Sequence, residues 1–303
     1  MRLGAVGRTV RGIALWGAGA ALALILWLGF VWPPPSWWRT HWPAETAFMR
    51  MRAQQLAAAR DTTPRRYVAV PIDSISDWIE KAATAGEDDA FSTHHGIDYH
   101  ALREALGYRR AEFSWSDARD RTELMRVIGL ARGRRDRLRG ASTITQQLAK
   151  NLYLSPSRNP LRKLKEAVIA YRLEWALTKP RILALYLNVA EFGPNLWGVE
   201  AASRRYFGRG AAQLSMDQAA LLVATLPHPL TSNPSYRAGR TYARQQLILR
   251  KMRGERVEVP TEAGEDSVPA VLPPVPDKTV PLDTARRDST TRPDTAARRD
   301  TIR

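Results

Sequence analysis

Between positions 12 and 32 the chain reads GIALWGAGAALALILWLGFVW, 21 residues without a charge. At ~1.5 Å per residue, a helix of that length matches the ~30 Å hydrocarbon core of a bilayer. Arg2, Arg8 and Arg11 precede the run. The positive-inside rule therefore assigns 1–11 to the cytoplasm as a basic N-terminus, 12–32 to a transmembrane helix and everything after it to the far side. Trp32, Trp37, Trp38 and Trp42 follow as an expected aromatic belt at the outer interface. The alternative is a cleaved signal peptide, but the run exceeds a usual h-region of ~7–15 residues and no clean A-x-A site follows it.

Charge sharpens this reading. The chain carries a formal net charge of +16, which calls for an anionic partner. An exported, anchored protein meets its anions at a membrane surface, so nucleic acid is set aside. The chain has no Cys, which removes disulfides, thiolate catalysis and Cys-based zinc sites. Residues 254–303 hold 10 acidic and 8 basic side chains and no aromatic residue; their net of −2 leaves +18 for the rest. That segment repeats a D-T-A/R-R theme without apolar period and reads as a disordered Pro/Thr/Asp/Arg-rich tail.

Between anchor and tail the pattern is mainly helical. PPPSWW at 33–38 stiffens the exit from the membrane, and 44–60 reads as an amphipathic helix beside the bilayer. RYVAVPI at 66–72 is the best strand signal. Ser215 with Gln218 forms a capping box, Pro227 stops that helix, and Thr178 with Pro180 opens another.

Four stretches carry chemistry. In GASTITQQLAKNLYL at 140–154, Thr143 and Gln146 make a capping box, and Ile144, Leu148 and Leu152 share one stripe. A helix start of this kind offers backbone N–H groups to an anion, with Lys150 adding a charge one to two turns on. The bland reading is an ordinary amphipathic helix. In SRNPLRKLKEAVIAYRLEWAL at 157–177, Arg158, Arg162, Lys163 and Lys165 crowd Glu166, while Leu164, Val168 and Leu173 suggest a buried stripe. A solvated ion pair is the competing account of Glu166. ARGRRDRLRG at 131–140 reads as a mobile basic loop. GEDDAFSTHHGID at 86–98 sets carboxylates and histidines together in a cationic chain. It is either an acidic turn or a held base.

These stretches resemble the peptidoglycan glycosyltransferase family. EDDAFSTHHGID is similar to its E-D-x-x-F-x-x-H-x-G-x-D motif, GASTITQQLAKN to its G-x-S-T-I-T-Q-Q-x-x-K-N signature and RKLKE to its R-K-x-x-E segment. ILALYLNVAEFG at 182–193 and GVEAASRRYFG at 198–208 resemble the two motifs that follow. Five motifs stand in family order over 67–230, and no S-x-x-K, S-D-N or K-T-G of a transpeptidase occurs. The resemblance implies the monofunctional biosynthetic branch.

The resemblance further implies a mainly α, lysozyme-like catalytic domain at 67–253, with 33–66 as juxtamembrane linker and small membrane-proximal jaw. It implies an inner-membrane, single-pass protein with a periplasmic catalytic domain that polymerises lipid II. Glu87 would be the base and Glu166 the second essential carboxylate. Lys150 and Arg158 would bind pyrophosphate, and Gln146, Gln147, Ser142, Thr143, Asn151, Arg162 and Lys163 would line the cleft. Asp88, Phe91, His94, Gly96 and Asp98 would support the loop, with Asp98 capping the next helix and Asp89 and His95 exposed. No cofactor or metal ligand is implied, although a divalent cation such as Mg or Mn can ride on the pyrophosphate. Implied partners are lipid II, the growing glycan strand, membrane lipids and other cell-wall synthesis or division proteins. Gly86 departs from the family pattern and is expected to loosen the loop. A lytic transglycosylase and a catalytically idle scaffold are the alternatives.

Overall fold

The computed structural model describes residues 3–108, 113–133, 142–154 and 160–259, without the side chains of 3–11, 13, 128, 130–133 and 160. The fold is mainly helical. Helix α1 spans Leu3–Gly29 and α2 spans Ala47–Ala58. They are followed by α3 (Asp77–Glu87), α4 (Tyr99–Ala105), α5 (Ala118–Gly133), α6 (Ile144–Tyr153), α7 (Pro160–Ala176) and α8 (Lys179–Val189). The chain closes with α9 (Val199–Phe207), α10 (Met216–Thr225) and α11 (Gly239–Met252).

Local chemistry accounts for five of the helix starts. Thr143 and Ser215 close the two capping boxes read from the sequence, and Asp98 accepts from His100 N and Ala101 N at the start of α4. Thr178 occupies the N-cap of α8 with Pro180 in its first turn, but its hydroxyl makes no capping bond. Ser76 and Thr46 cap α3 and α2.

One core runs through the bundle: α6 packs on α7 and α8, and α10 packs on α3 and α11. Ile144 and Leu148 of α6 are buried with Ile169 and Leu173 of α7, Ile182 and Leu185 of α8, and Leu222 and Val223 of α10. The α6 stripe is the expected one. The α7 stripe is only partly so: Leu173 is buried as expected, but Leu164 is 48% exposed and Val168 half-buried, and Ile169 and Ala170 face the core with Leu173. Helices α10 and α11 flank α3. A small sheet sits beside this bundle, with β3 (Leu196–Trp197) parallel to β1 (Arg66–Tyr67) and antiparallel to β2 (Glu191–Gly193). The RYVAVPI run thus supplies only two strand residues.

The N-terminal region departs from expectation in detail. α1 ends at Gly29 rather than at 32, and Leu15, Trp16, Leu22, Ile25 and Leu26 on it are exposed. Among the described residues no helix is long and apolar enough to cross a membrane. Trp38 does not join an outer belt. It is buried and donates its Nε1–H to Tyr153 Oη at 2.6 Å, while Arg181 stacks on Trp42 at 3.8 Å. α2 turns Phe48, Met49, Arg52 and Leu56 inward and packs on α6. The tail beyond 259 and most of the Arg-rich loop lie outside the described residues.

Candidate active site

Glu87 is the last residue of α3, and its side chain is 4% exposed. Two groups hold it. Arg244 of α11 donates from Nη2 to Glu87 Oε1 at 3.1 Å and to the Gly86 carbonyl at 2.7 Å. Gln147 of α6 donates from Nε2 to Glu87 Oε2 at 2.9 Å. The hydroxyl of Tyr186 in α8 donates to Gln147 Oε1 at 3.0 Å and so sets which end of the amide faces Glu87. Burial, followed by the nearby Glu87 charge, raises the Tyr186 pKa well above its ordinary value, which keeps it a neutral donor. Each Glu87 oxygen retains a second lone pair after these bonds.

The residues after Glu87 form a clamp. Asp88 Oδ2 accepts the Ile144 N–H at 2.9 Å, placing a carboxylate at the start of α6 where the helix dipole favours it. His94 Nε2 lies 2.9 Å from Asp88 Oδ1, and the Gly96 N–H is aimed at His94 Nδ1 at 3.2 Å. An N–H pointed at Nδ1 requires a lone pair there, so the ring proton sits on Nε2 facing Asp88. Thr143 donates its hydroxyl to Gly96 O at 2.7 Å. Gly96 itself has φ +89°, and a Cβ there would lie 3.1 Å from the backbone of Ala170. Only glycine fits both constraints. Phe91 is buried edge-on to His94, with Lys179 Nζ 4.6 Å from its ring centre. Asp98 caps α4, and Asp89 and His95 are exposed.

The second carboxylate is no solvated ion pair. Glu166 is 3% exposed; Arg162 Nη1 reaches it at 2.9 Å, and Lys163 Nζ contacts its other oxygen. The same Lys163 Nζ donates to Ser142 Oγ at 2.8 Å. Glu87 and Glu166 are therefore tied to one short segment, 142–147, through Gln147 and through Lys163–Ser142. Gln146 is spent on its capping box, where Oε1 accepts the Thr143 N–H at 3.1 Å. Asn151 is buried on α6, and Lys150 lies over the Phe48 ring at 5.8 Å. Arg158 falls outside the described residues. Among the described residues no group of three or more His, Cys, Asp or Glu could hold a metal ion.

Gly86 does not loosen the loop. A Cβ at Gly86 would stand 2.8 Å from Val223 Cγ1 and 3.1 Å from Ile248 Cδ1, so the missing side chain lets α10 and α11 close against the end of α3. Arg244 is the site residue the sequence reading missed. A usable signal existed: Thr241, Arg244, Gln245, Ile248 and Leu249 recur at helical spacing and form the buried face of α11.

Residues 111–253 match the family described as Transglycosylase. The biosynthetic peptidoglycan transglycosylase of Bordetella pertussis is 40% identical over 227 residues, covering 74% of this chain and 84% of that protein. The protein of the same name from Thiobacillus denitrificans is 39% identical over 246 residues, 80% of this chain and 95% of its own. That from Citrobacter koseri is 43% identical over 182 residues, 60% and 66% respectively. Identity at this level across most of both chains shows that the chain belongs to the biosynthetic peptidoglycan transglycosylases.

Proposed function

We propose that this transglycosylase polymerises lipid II. The 4-hydroxyl oxygen of an acceptor GlcNAc attacks the anomeric carbon of a donor MurNAc, and a β-1,4 bond forms with inversion. The bond from that carbon to the pyrophosphate oxygen breaks, and undecaprenyl pyrophosphate leaves with its electron pair. A sugar hydroxyl is a poor nucleophile, so a base must take its proton as the bond forms. Glu87 is that base: buried, fixed through both oxygens and still able to accept. The leaving group needs charge neutralisation more than protonation, which suits Lys150 and Arg158, with Arg162 and Lys163 organised around Glu166. A divalent cation, Mg or Mn, would travel with the pyrophosphate, and no step depends on it.

The observation that carries this reading is the pair of buried carboxylates tied to the single segment 142–147, Glu87 directly by Gln147 and Glu166 through Lys163 and Ser142. The family acts on the bacterial envelope. Single-pass anchoring in the inner membrane by α1, with a periplasmic catalytic domain, is our reading of its exposed apolar side chains. It is supported by α7, which packs on α1 and leaves Tyr171 and Trp175 exposed, the latter by 89%.

The test uses purified full-length protein in detergent with labelled lipid II. A glycan ladder from wild type that is lost in Glu87→Gln supports a polymerase with Glu87 as base. Anhydro-sugar fragments from isolated sacculi, without polymer, would reverse the assignment to lysis. Neither product, beside an active control polymerase, would leave a scaffold.

A further inference from the structure

Lys150 has a floor. Phe48 of α2 presents its ring beneath the Lys150 ammonium, 5.8 Å from Nζ to ring centre. That ring cannot drift. It is buried, packed edge-on against Trp197 at 6.0 Å and 83°, and Trp197 is itself fully buried with its Nε1–H bonded to Asn195 Oδ1 at 3.1 Å. One turn further along α2, the Arg52 guanidinium lies over the same ring at 5.7 Å. Arg52 is neutralised by Glu191, which takes Nε at 3.0 Å and Nη2 at 2.8 Å in a buried fork. Two cations can therefore share one ring without facing each other as bare charges.

We propose that Phe48 is a positioning residue for Lys150. A lysine ammonium rides on a flexible four-carbon stem. A fixed aromatic face attracts the ammonium and narrows the positions it samples, so it is already placed when the pyrophosphate arrives. Phe48 does not touch the reacting atoms; it acts through Lys150. The consequence reaches beyond this pair. α2 stands between α1 and the α3 helix that carries Glu87, so this juxtamembrane helix supplies part of the leaving-group machinery. This inference rests on the reading of Lys150 as a pyrophosphate ligand.

The experiment is a double-mutant cycle on the full chain, with lipid II polymerisation as the assay and thermal unfolding measured alongside. Phe48→Leu is expected to lower kcat/KM roughly 3- to 5-fold. In a Lys150→Ala background it should change nothing further. The same factor in both backgrounds marks a structural role and overturns the proposal. Wild-type kcat/KM in Lys150→Ala would instead overturn the reading of Lys150. Should Phe48→Leu fail to fold, stepwise fluorination of the Phe48 ring drains its negative face with little change of shape. A stepwise fall in kcat/KM with each fluorine is expected, and a flat series refutes the idea.

Discussion

Replacing Gly86 by alanine puts the closeness of α3, α10 and α11 to a direct test. In an exposed helix the change would gain about 1 kcal/mol from backbone entropy. Here the new methyl would start 2.8 Å from Val223 Cγ1, 3.1 Å from Ile248 Cδ1 and 3.4 Å from Ile248 Cγ1. Comfortable carbon contacts lie at about 3.5–4.0 Å. Val223 and Ile248 are both fully buried, so neither can swing into solvent. Overpacking of this kind costs about 1–3 kcal/mol, which outweighs the entropic gain by about 1 kcal/mol. Thermal unfolding in detergent should show a Tm lower by about 2–4 °C.

Activity should fall more than stability. Arg244 stands one turn before Ile248 on α11, so even a few tenths of an ångström of outward shift there stretches its 3.1 Å bond to Glu87 toward the limit of a hydrogen bond. Adding Val223→Ala removes the nearest clashing atom, so the double variant should lose less than the sum of the single costs. If Gly86→Ala melts at or above the wild-type temperature and polymerises normally, the interface is yielding and the reasoning fails.

Two further outcomes are expected. Arg244→Gln leaves a buried carboxylate without its cation and should cost about 3–5 kcal/mol in unfolding free energy. Adding Glu87→Gln should recover much of that stability and none of the activity, while a loss below 1 kcal/mol from Arg244→Gln alone would contradict the buried pairing. Stability should also fall at alkaline pH. Burial, only partly opposed by the Arg65 charge, pushes Tyr67 up to about 12, and burial also raises Tyr153, Tyr186 and Tyr206. Below pH ~10 both folded and unfolded chains keep these protons; between ~10 and about 12 the unfolded chain gives up the Tyr67 proton first, so stability drains away. Tyr67→Phe should show a shallower loss across that window, and an identical slope would count against the assignment.

Much of the site was legible along the chain because its parts are local. The Thr143–Gln146 box, the Asp98 cap and the Gly96 turn each rest on residues a few positions apart, where side-chain chemistry acts on neighbouring backbone. Glu87 and Glu166 were identified by motif, and the structure buries both. The faces of the helices were less legible. Leu164 is apolar yet exposed, because the face of α7 that meets the core is set by where α6 and α8 lie. Trp38 looked like a membrane-interface residue for the same reason; only the folded chain brings Tyr153 to its indole N–H.

The sequence by itself determined that this is a helical, strongly basic chain with an apolar N-terminal run and five ordered motifs that name its family. Those are properties of composition, spacing and short-range bonding. Glu166 keeps Arg162 and Lys163, its neighbours one helical turn away, but only the tertiary structure decided what holds Glu87 and Glu191. Arg244 is 157 residues from Glu87, Gln147 is 60 away, and Arg52 is 139 from Glu191. No local pattern encodes such pairings, because a buried charge needs a partner in space and nothing requires that partner to be near in sequence.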